Sequence, residues 1–130
     1  PRDGLSLAVG LTTLKRRAEF LRVRGGLRWG TPSLVLEAKP RDPGALVVAG
    51  AQGARFGYTV SKKVGKAVVR NRIRRRLKAA TRELLDFARP EYDYVVIARP
   101  AAVDRPYAEL KADLAQAFSR VHRTAEAGRA

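Results

Sequence analysis

The side chains that could do chemistry in this sequence are concentrated in one run of arginines and lysines. Between Arg55 and Arg82 the chain carries eleven positive side chains, and no acid appears before Glu83. The whole chain has a formal net charge of +15, so this run holds most of the chain's excess positive charge. Exposed helices usually mix both signs, because opposite charges attract when they are three or four residues apart. The run therefore predicts a polyanionic ligand.

The same run has the apolar spacing of an amphipathic helix. Apolar residues recur at steps of three or four, at Val69, Ile73, Leu77, Ala80, Leu84 and Ala88. This spacing predicts a helix over 66–89, which Pro90 ends. Arginine outnumbers lysine on its outer side, and the planar guanidinium group matches phosphate oxygens and can stack on bases. Nucleic acid is therefore the predicted ligand, in preference to a solvated face with no partner.

Composition limits the other possibilities. A chain of 130 residues with 45% hydrophobic content predicts a single domain, with tails at 1–12 and 124–130. The absence of cysteine excludes disulfides and thiolate metal sites. No apolar run approaches the roughly 18 residues of a membrane span, so the sequence predicts a cytoplasmic protein without a membrane partner.

The remaining elements would position the basic helix. Thr13 can cap a helix over 14–24, and Asp104 can cap a last helix with Pro106 in its first turn. Residues 25–32 read as a connection. Strands are predicted at 33–39, 46–49, 55–61 and 93–98, the last of them covered on both faces. This order predicts an α+β or α/β sandwich containing a βαβ unit, for which a right-handed crossover is the usual geometry.

One segment resembles the signature of a known family. It reads Val60-Ser61-Lys62-Lys63-Val64-Gly65-Lys66-Ala67-Val68-Val69-Arg70-Asn71-Arg72-Ile73-Arg74-Arg75-Arg76-Leu77. Its Arg-Asn-Arg centre is similar to the motif of the protein subunit of bacterial ribonuclease P. The helix end from Phe20 to Gly25, the strand Tyr94 to Ala98 with Arg99, and the final helix extend the resemblance over most of the chain.

The resemblance implies a fold and an activity. The fold would be α+β, a small four-stranded mixed sheet with three helices, similar to the second domain of a small-subunit ribosomal protein and with a left-handed βαβ crossover. The activity would be removal of the 5′ leader from precursor transfer RNA. The partners would be the catalytic RNA and the precursor, with no obligate protein partner. The RNA would carry the chemistry and bind most of the Mg²⁺, so no catalytic or metal-binding residue is expected in the protein.

The resemblance also implies which residues bind RNA. Those contacting the catalytic RNA would be Arg70, Asn71, Arg72, Arg74, Arg75, Lys78 and Arg82, with Lys62, Lys63 and Lys66 nearby. The leader would lie in a cleft between the first helix and the sheet, against Phe20, Phe56, Tyr58, Arg24 and Arg17. Arg24 and Glu37 stand where many members carry aromatic residues, so leader contact here is predicted to depend more on charge.

The sequence leaves three alternatives to this function. A ribosomal-type structural RNA-binding protein fits the composition equally well, and only the signature around Asn71 separates the two. A helix-turn-helix DNA-binding protein is disfavoured because a strand and a loop precede the basic helix. Glu37-Ala38-Lys39 resembles half of a metal-dependent nuclease motif, but neither Asp3 nor Glu19 has the setting of the missing upstream acid.

Three further features are assigned structural roles. Asp86, Glu91 and Asp93 form an acidic patch whose predicted role is solubility and pairing with Arg89. The single histidine, His122, has no partner at metal-ligand spacing and is predicted at the surface. Trp29 is predicted to pack within a Gly-rich loop.

Overall fold

Three helices cover the two faces of a five-stranded sheet in the computed structural model, which describes residues 12–41 and 53–129. The strands are β1 (Thr12–Thr13), β2 (Leu27–Gly30), β3 (Leu34–Pro40), β4 (Arg55–Thr59) and β5 (Tyr92–Ala98). The helices are α1 (Arg17–Arg24), α2 (Ala67–Glu83) and α3 (Tyr107–Arg129), with short 3-10 helices at Leu85–Phe87 and Pro100–Val103. The predicted α+β class is therefore confirmed.

The sheet is mixed and has the order β1-β4-β5-β3-β2. β4 and β5 are parallel neighbours joined through α2, as the predicted βαβ unit requires, while β3 is antiparallel to both β5 and β2. The hand of this crossover remains a prediction. The predicted number of four strands is wrong, because β1 adds a two-residue strand and β2 forms inside the supposed connection at 25–32. β2 pairs with β3 despite its glycine-rich flanks, since pairing and packing outweigh local propensity.

The two faces of the sheet belong to different helices. On one face, Tyr92, Tyr94 and Val96 of β5 join the main core beneath α2 and α3. On the other face, Val95 packs with Leu14 and with Val23 of α1, and Ile97 lies against them. The strand is therefore covered on both sides, as predicted. This alternation decides which side chains can share a site.

Several predicted boundaries differ from the observed ones. Thr13 pairs with Phe56 in β1, so α1 begins at Arg17 and not at residue 14. Its start is stabilised by Glu19, whose Oε1 accepts hydrogen bonds from the backbone N–H groups of Lys15 and Arg16 at 2.8 and 3.0 Å. The basic helix ends at Glu83, where a 3-10 turn replaces its last predicted turn.

The last helix also differs from its prediction. Asp104 does not cap it, because Pro106 directly precedes α3 and its carbonyl accepts the N–H groups of Glu109 and Leu110. The predicted tail from residue 124 is helical as far as Arg129. The predicted strand at 46–49 and the tail at 1–11 lie outside the described residues. Within the described ranges, no helix combines the length and apolar character needed to cross a membrane.

Candidate nucleic-acid interface

The outer side of α2 and the segment directly before it carry the predicted RNA-binding residues. Ile73, Leu77 and Ala80 are buried on the inner side of the helix, which leaves the cations facing outward. Exposed members are Lys62, Lys63, Lys66, Asn71, Arg72, Arg75 and Arg82, and half-buried members are Arg70, Arg74 and Lys78. We call these ten residues the basic face.

The cations of the basic face are not neutralised by the protein's own acids. Among residues 12–41 and 53–129, none of them forms a salt bridge. Arg74 Nη1 donates to Asn71 Oδ1 at 3.1 Å, and Arg70 Nε donates to the Gly65 carbonyl at 3.1 Å. These contacts orient two guanidinium groups and leave their charge uncompensated, so the face attracts anions.

Two arginines of α2 also connect the helix to the segment that precedes α3. Arg72 Nη2 donates to the Val103 carbonyl at 3.1 Å. Arg76 Nη1 donates to the Ala102 carbonyl at 3.3 Å, and its Nη2 donates to the Arg105 carbonyl. Carbonyls at the end of a short helix lack intrahelical partners and carry partial negative charge. Arg76 is therefore a structural residue, a role that its place in the basic run did not reveal.

Phe56 and Tyr58 were predicted to contact the leader, and the structure contradicts both assignments. Phe56 is fully buried in the main core and stacks on Tyr94 with ring centroids 5.2 Å apart. The Tyr58 hydroxyl donates to Thr81 Oγ1 of α2 at 2.9 Å, and burial raises the pKa of Tyr58 to about 12. Alternation along β4 places both rings on the α2 side, away from α1.

The α1 side of the sheet keeps the other three predicted leader residues. Arg17 and Arg24 are exposed at the two ends of α1. Phe20 is half-buried and packs over Gly57, where an added Cβ would lie 2.4 Å from the ring carbon Cε2. Ile97 packs with Phe20 on this side and was not predicted as a site residue. Its signal in the sequence is its even spacing from Val95.

Glu37 lies on the same side of the sheet but is not available as a metal ligand. Its Oε2 accepts a hydrogen bond from Arg28 Nη1 at 2.8 Å, and the Glu37 side chain is only 5% exposed. The Glu37 carboxylate is therefore already neutralised by Arg28, which lies opposite it on the neighbouring strand β2. Across the described residues, no group of three acids and histidines converges on a possible metal position.

Asp93 is the most heavily bonded acid in the described part of the chain. It is fully buried and accepts hydrogen bonds from Arg22 of α1, Arg41 after β3 and Arg55 of β4, at 2.7 to 2.8 Å. Burial alone would raise the pKa of Asp93, but hydrogen bonds from these three arginines outweigh it and hold the pKa below its ordinary value.

The predicted pairing of the acidic patch with Arg89 is wrong. Arg89 Nη2 bonds Glu126 Oε2 at 2.6 Å, while Asp93 holds the arginines described above. Alternation along β5 places Asp93 on the α1 face of the sheet, with Val95. Arg89 lies on the opposite face, where its backbone N–H bonds the Tyr94 hydroxyl.

His122 and Trp29 have packing roles, although His122 was predicted at the surface. His122 is 6% exposed, and its Nε2 lies 2.6 Å from the Tyr94 hydroxyl. Its position four residues after Phe118 placed it on the buried stripe of α3, which the sequence could have revealed. Trp29 lies on β2, packs against the core and is covered by the Arg120 guanidinium at 5.2 Å from its ring centroid.

An α+β sandwich with an uncompensated cationic helix face defines a class of polyanion-binding protein. A family model described as Ribonuclease P matches residues 11–122. The chain is 40% identical to the ribonuclease P protein component of Ruegeria pomeroyi, over 94% of this chain and 95% of the relative. It is 45% identical to that of Paramagnetospirillum magneticum, over 88% and 86%. The chain therefore belongs to the ribonuclease P family, as a protein subunit of that enzyme.

Solved structures agree with this assignment. The ribonuclease P protein of Staphylococcus aureus superposes with a TM-score of 0.67 at 25% identity, over 87% of this chain and 94% of that one. The protein from Thermotoga maritima shares the fold, with a TM-score of 0.69 at 22% identity over 84% and 96%. The ribosomal-type alternative is not favoured.

Proposed function

We propose that the basic face binds the catalytic RNA of ribonuclease P, and that the α1 side of the sheet holds the 5′ leader of precursor transfer RNA during cleavage. The observation that most directly supports this proposal is that α2 presents its outward cations without acidic partners among the described residues. Binding RNA there releases counterions and relieves repulsion between the arginines, so both effects favour assembly.

The protein's contribution to cleavage is electrostatic. Folding the RNA and docking the substrate bring phosphates together, and fixed cations lower that repulsion. The outward groups of the basic face are ammonium, guanidinium and amide groups. Only the Asn71 amide oxygen is a possible metal ligand, and Arg74 already bonds it. The proposal therefore assigns the Mg²⁺ mainly to the RNA, and predicts that the protein lowers the Mg²⁺ concentration that cleavage requires.

The leader would contact the α1 side through charge and one ring. Arg17 and Arg24 supply exposed guanidinium groups, and the accessible part of Phe20 supplies a stacking surface, worth roughly 1 to 3 kcal/mol per base in other proteins. Glu37 is neutralised by Arg28 and so opposes an RNA strand less than a free carboxylate would. We place this activity in the cytoplasm, where precursor transfer RNA is made, without an obligate protein partner.

Reconstitution with ribonuclease P RNA tests the assignment. The double variant Arg74→Gln/Arg75→Gln should bind the RNA more weakly. The negative slope of log affinity against log salt should become shallower by about 2, because each lost phosphate contact removes about 0.9 from its magnitude. The matched control is Lys15→Gln/Arg16→Gln, which removes two exposed cations before α1. Equal affinity and salt slope for wild type and the α2 variant would rule out the basic face as the RNA site.

The leader assignment has its own measurement. Arg17→Gln/Arg24→Gln should reduce the preference of the holoenzyme for precursor over mature transfer RNA, while its assembly with the catalytic RNA changes much less. Unchanged preference for the precursor would show that Arg17 and Arg24 of α1 do not bind the leader. The proposed role of α2 would not be affected.

A further inference from the structure

Lys78 is held differently from the other lysines of the basic face. It is half-buried, whereas Lys62, Lys63 and Lys66 are exposed. Its ammonium nitrogen lies over the ring of Tyr58, 5.8 Å from the ring centroid. This distance is within the roughly 6 Å at which the negative face of an aromatic ring attracts a cation. Lys78 therefore has a defined partner, although it forms no salt bridge among the described residues.

The Tyr58 ring is itself fixed on two sides. Its hydroxyl donates to Thr81 Oγ1 at 2.9 Å, and Thr81 Oγ1 donates to the Leu77 carbonyl one turn earlier in α2, at 2.8 Å. The ring also packs against the main core. Thr81 is fully buried and follows Lys78 by three residues. The hydroxyl therefore ties the ring to the turn of α2 from which Lys78 projects.

The neighbours of Lys78 on α2 show what this ring contributes. Arg74, Arg75 and Arg82 lie three or four residues from Lys78, the spacings at which like charges repel on a helix. A carboxylate could hold the lysine there, but it would also neutralise the lysine. An aromatic ring attracts the ammonium group through its quadrupole and has no net charge. Lys78 is therefore oriented while its positive charge stays available to an anion.

We propose that Tyr58 is a positioning residue for RNA binding, which holds the Lys78 ammonium group so that its outward N–H donors meet a phosphate of the catalytic RNA. The inference rests on the proposed function, which places that RNA on the basic face. Tyr58 then serves the catalytic RNA and not the leader. A lysine that is already held in place loses less conformational freedom when it binds a phosphate, so the ring raises affinity without touching the RNA.

A double-mutant cycle measures the coupling between the two side chains. Affinity for ribonuclease P RNA is compared for full-length wild type, Tyr58→Leu, Lys78→Gln and the double variant. Tyr58→Leu should weaken binding about two- to tenfold, the effect of immobilising one long side chain, and should have little further effect in the Lys78→Gln background. Tyr58→Phe keeps the ring and should bind nearly as tightly as wild type. Weakening by Tyr58→Leu that is as large in the Lys78→Gln background as in wild type would overturn the proposal.

The control cycle combines Tyr58→Leu with Lys66→Gln. Lys66 is an exposed cation of the same face, twelve residues before Lys78 and therefore about 18 Å from it along the helix. Effects of substitutions at such a separation usually add. Tyr58→Leu should accordingly weaken binding by the same factor in the Lys66→Gln background as in wild type. Equal coupling of Tyr58 to both lysines would show a general disturbance of α2 and would contradict a positioning role.

The outcomes also separate this inference from the proposed function. If Tyr58→Leu binds the RNA like wild type while Arg74→Gln/Arg75→Gln binds it weakly, the positioning role fails and the proposed function stands. If Arg74→Gln/Arg75→Gln keeps the wild-type affinity and salt slope, the basic face is not the RNA site and both fail.

Discussion

Asp93 accepts two hydrogen bonds from the Arg55 guanidinium group, from Nε at 2.8 Å and from Nη2 at 2.7 Å. Arg22 of α1 donates to Oδ2 of the same carboxylate at 2.8 Å, so this buried acid joins two strands and the helix that covers them. Arg55 also reaches Glu19 of α1 at 3.2 Å. The position of α1 over the sheet therefore depends on a charge cluster as well as on its short apolar side.

Replacing Asp93 tests that dependence. Asp93→Asn leaves three arginines around a neutral group, and removing one partner of a buried ion pair typically lowers stability by about 3 kcal/mol or more. Urea denaturation should show this loss. The control Glu109→Gln breaks a pair with Arg105 in which the acid is 56% exposed, and should change stability by no more than about 0.5 kcal/mol. Equal urea midpoints for the two variants would contradict the assigned role.

Acid should begin to destabilise the fold at a pH above the ordinary pKa values of carboxylates, because His122 is buried in its neutral form. The folded pKa of His122 is depressed to about 4 from 6.5, so the unfolded chain binds more protons between these values. Stability is then fully present above pH 6.5 and falls toward pH 4, by about 3 kcal/mol for this group. Denaturation at several pH values should show the loss, and His122→Phe should flatten it even if that variant is less stable at pH 7. An unchanged slope in His122→Phe would assign the effect to other groups.

Neighbouring arginines of α2 should have opposite phenotypes. Arg75 is exposed without a partner among the described residues, whereas Arg76 donates to two backbone carbonyls before α3. Arg75→Gln should weaken RNA binding and leave the melting temperature nearly unchanged. Arg76→Gln should lower stability by about 1 to 2 kcal/mol and weaken RNA binding less. Thermal melts and binding titrations on both variants test this, and the reverse pattern would show that Arg76 belongs to the RNA site.

Gly57 should be required for the position of Phe20. An alanine Cβ would lie 2.4 Å from Phe20 Cε2, so Gly57→Ala must displace the ring or the strand and should lower stability by about 1 to 3 kcal/mol. It should also reduce the preference for precursor over mature transfer RNA if Phe20 contacts the leader. Gly25→Ala is the matched control, because an added Cβ there meets nothing within 4 Å. Similar results for both substitutions would exclude this contact.

The basic helix was largely predictable because the evidence for its two faces is local. A period of 3.6 residues separates Ile73 and Leu77 from the arginines without reference to the rest of the chain. The predicted helix extended too far because Leu85 to Phe87 adopt a tighter turn with no breaker before Pro90. The family signature around Asn71 is likewise contiguous, and the family that it predicted is confirmed.

The leader residues were less predictable because each strand has two covered faces. Phe56, Gly57 and Tyr58 alternate along β4, and nothing in that segment tells which face meets α1. Packing decides the matter, since Phe20 occupies the space above Gly57 and the larger aromatic rings take the opposite face. Asp93 illustrates the same limit, because its three arginines come from distant parts of the sequence.

The sequence alone was sufficient to predict a cationic helix, its burial side, the α+β class and the family, because charge sign, periodicity and a contiguous motif are properties of neighbouring residues. Only the tertiary structure decided that Phe56 and Tyr58 are core residues, that Arg76 and Asp93 hold the fold together, and that His122 contacts the Tyr94 hydroxyl. Those roles depend on which sheet face each residue occupies and on contacts between distant segments, and both are set by the packing of the whole chain.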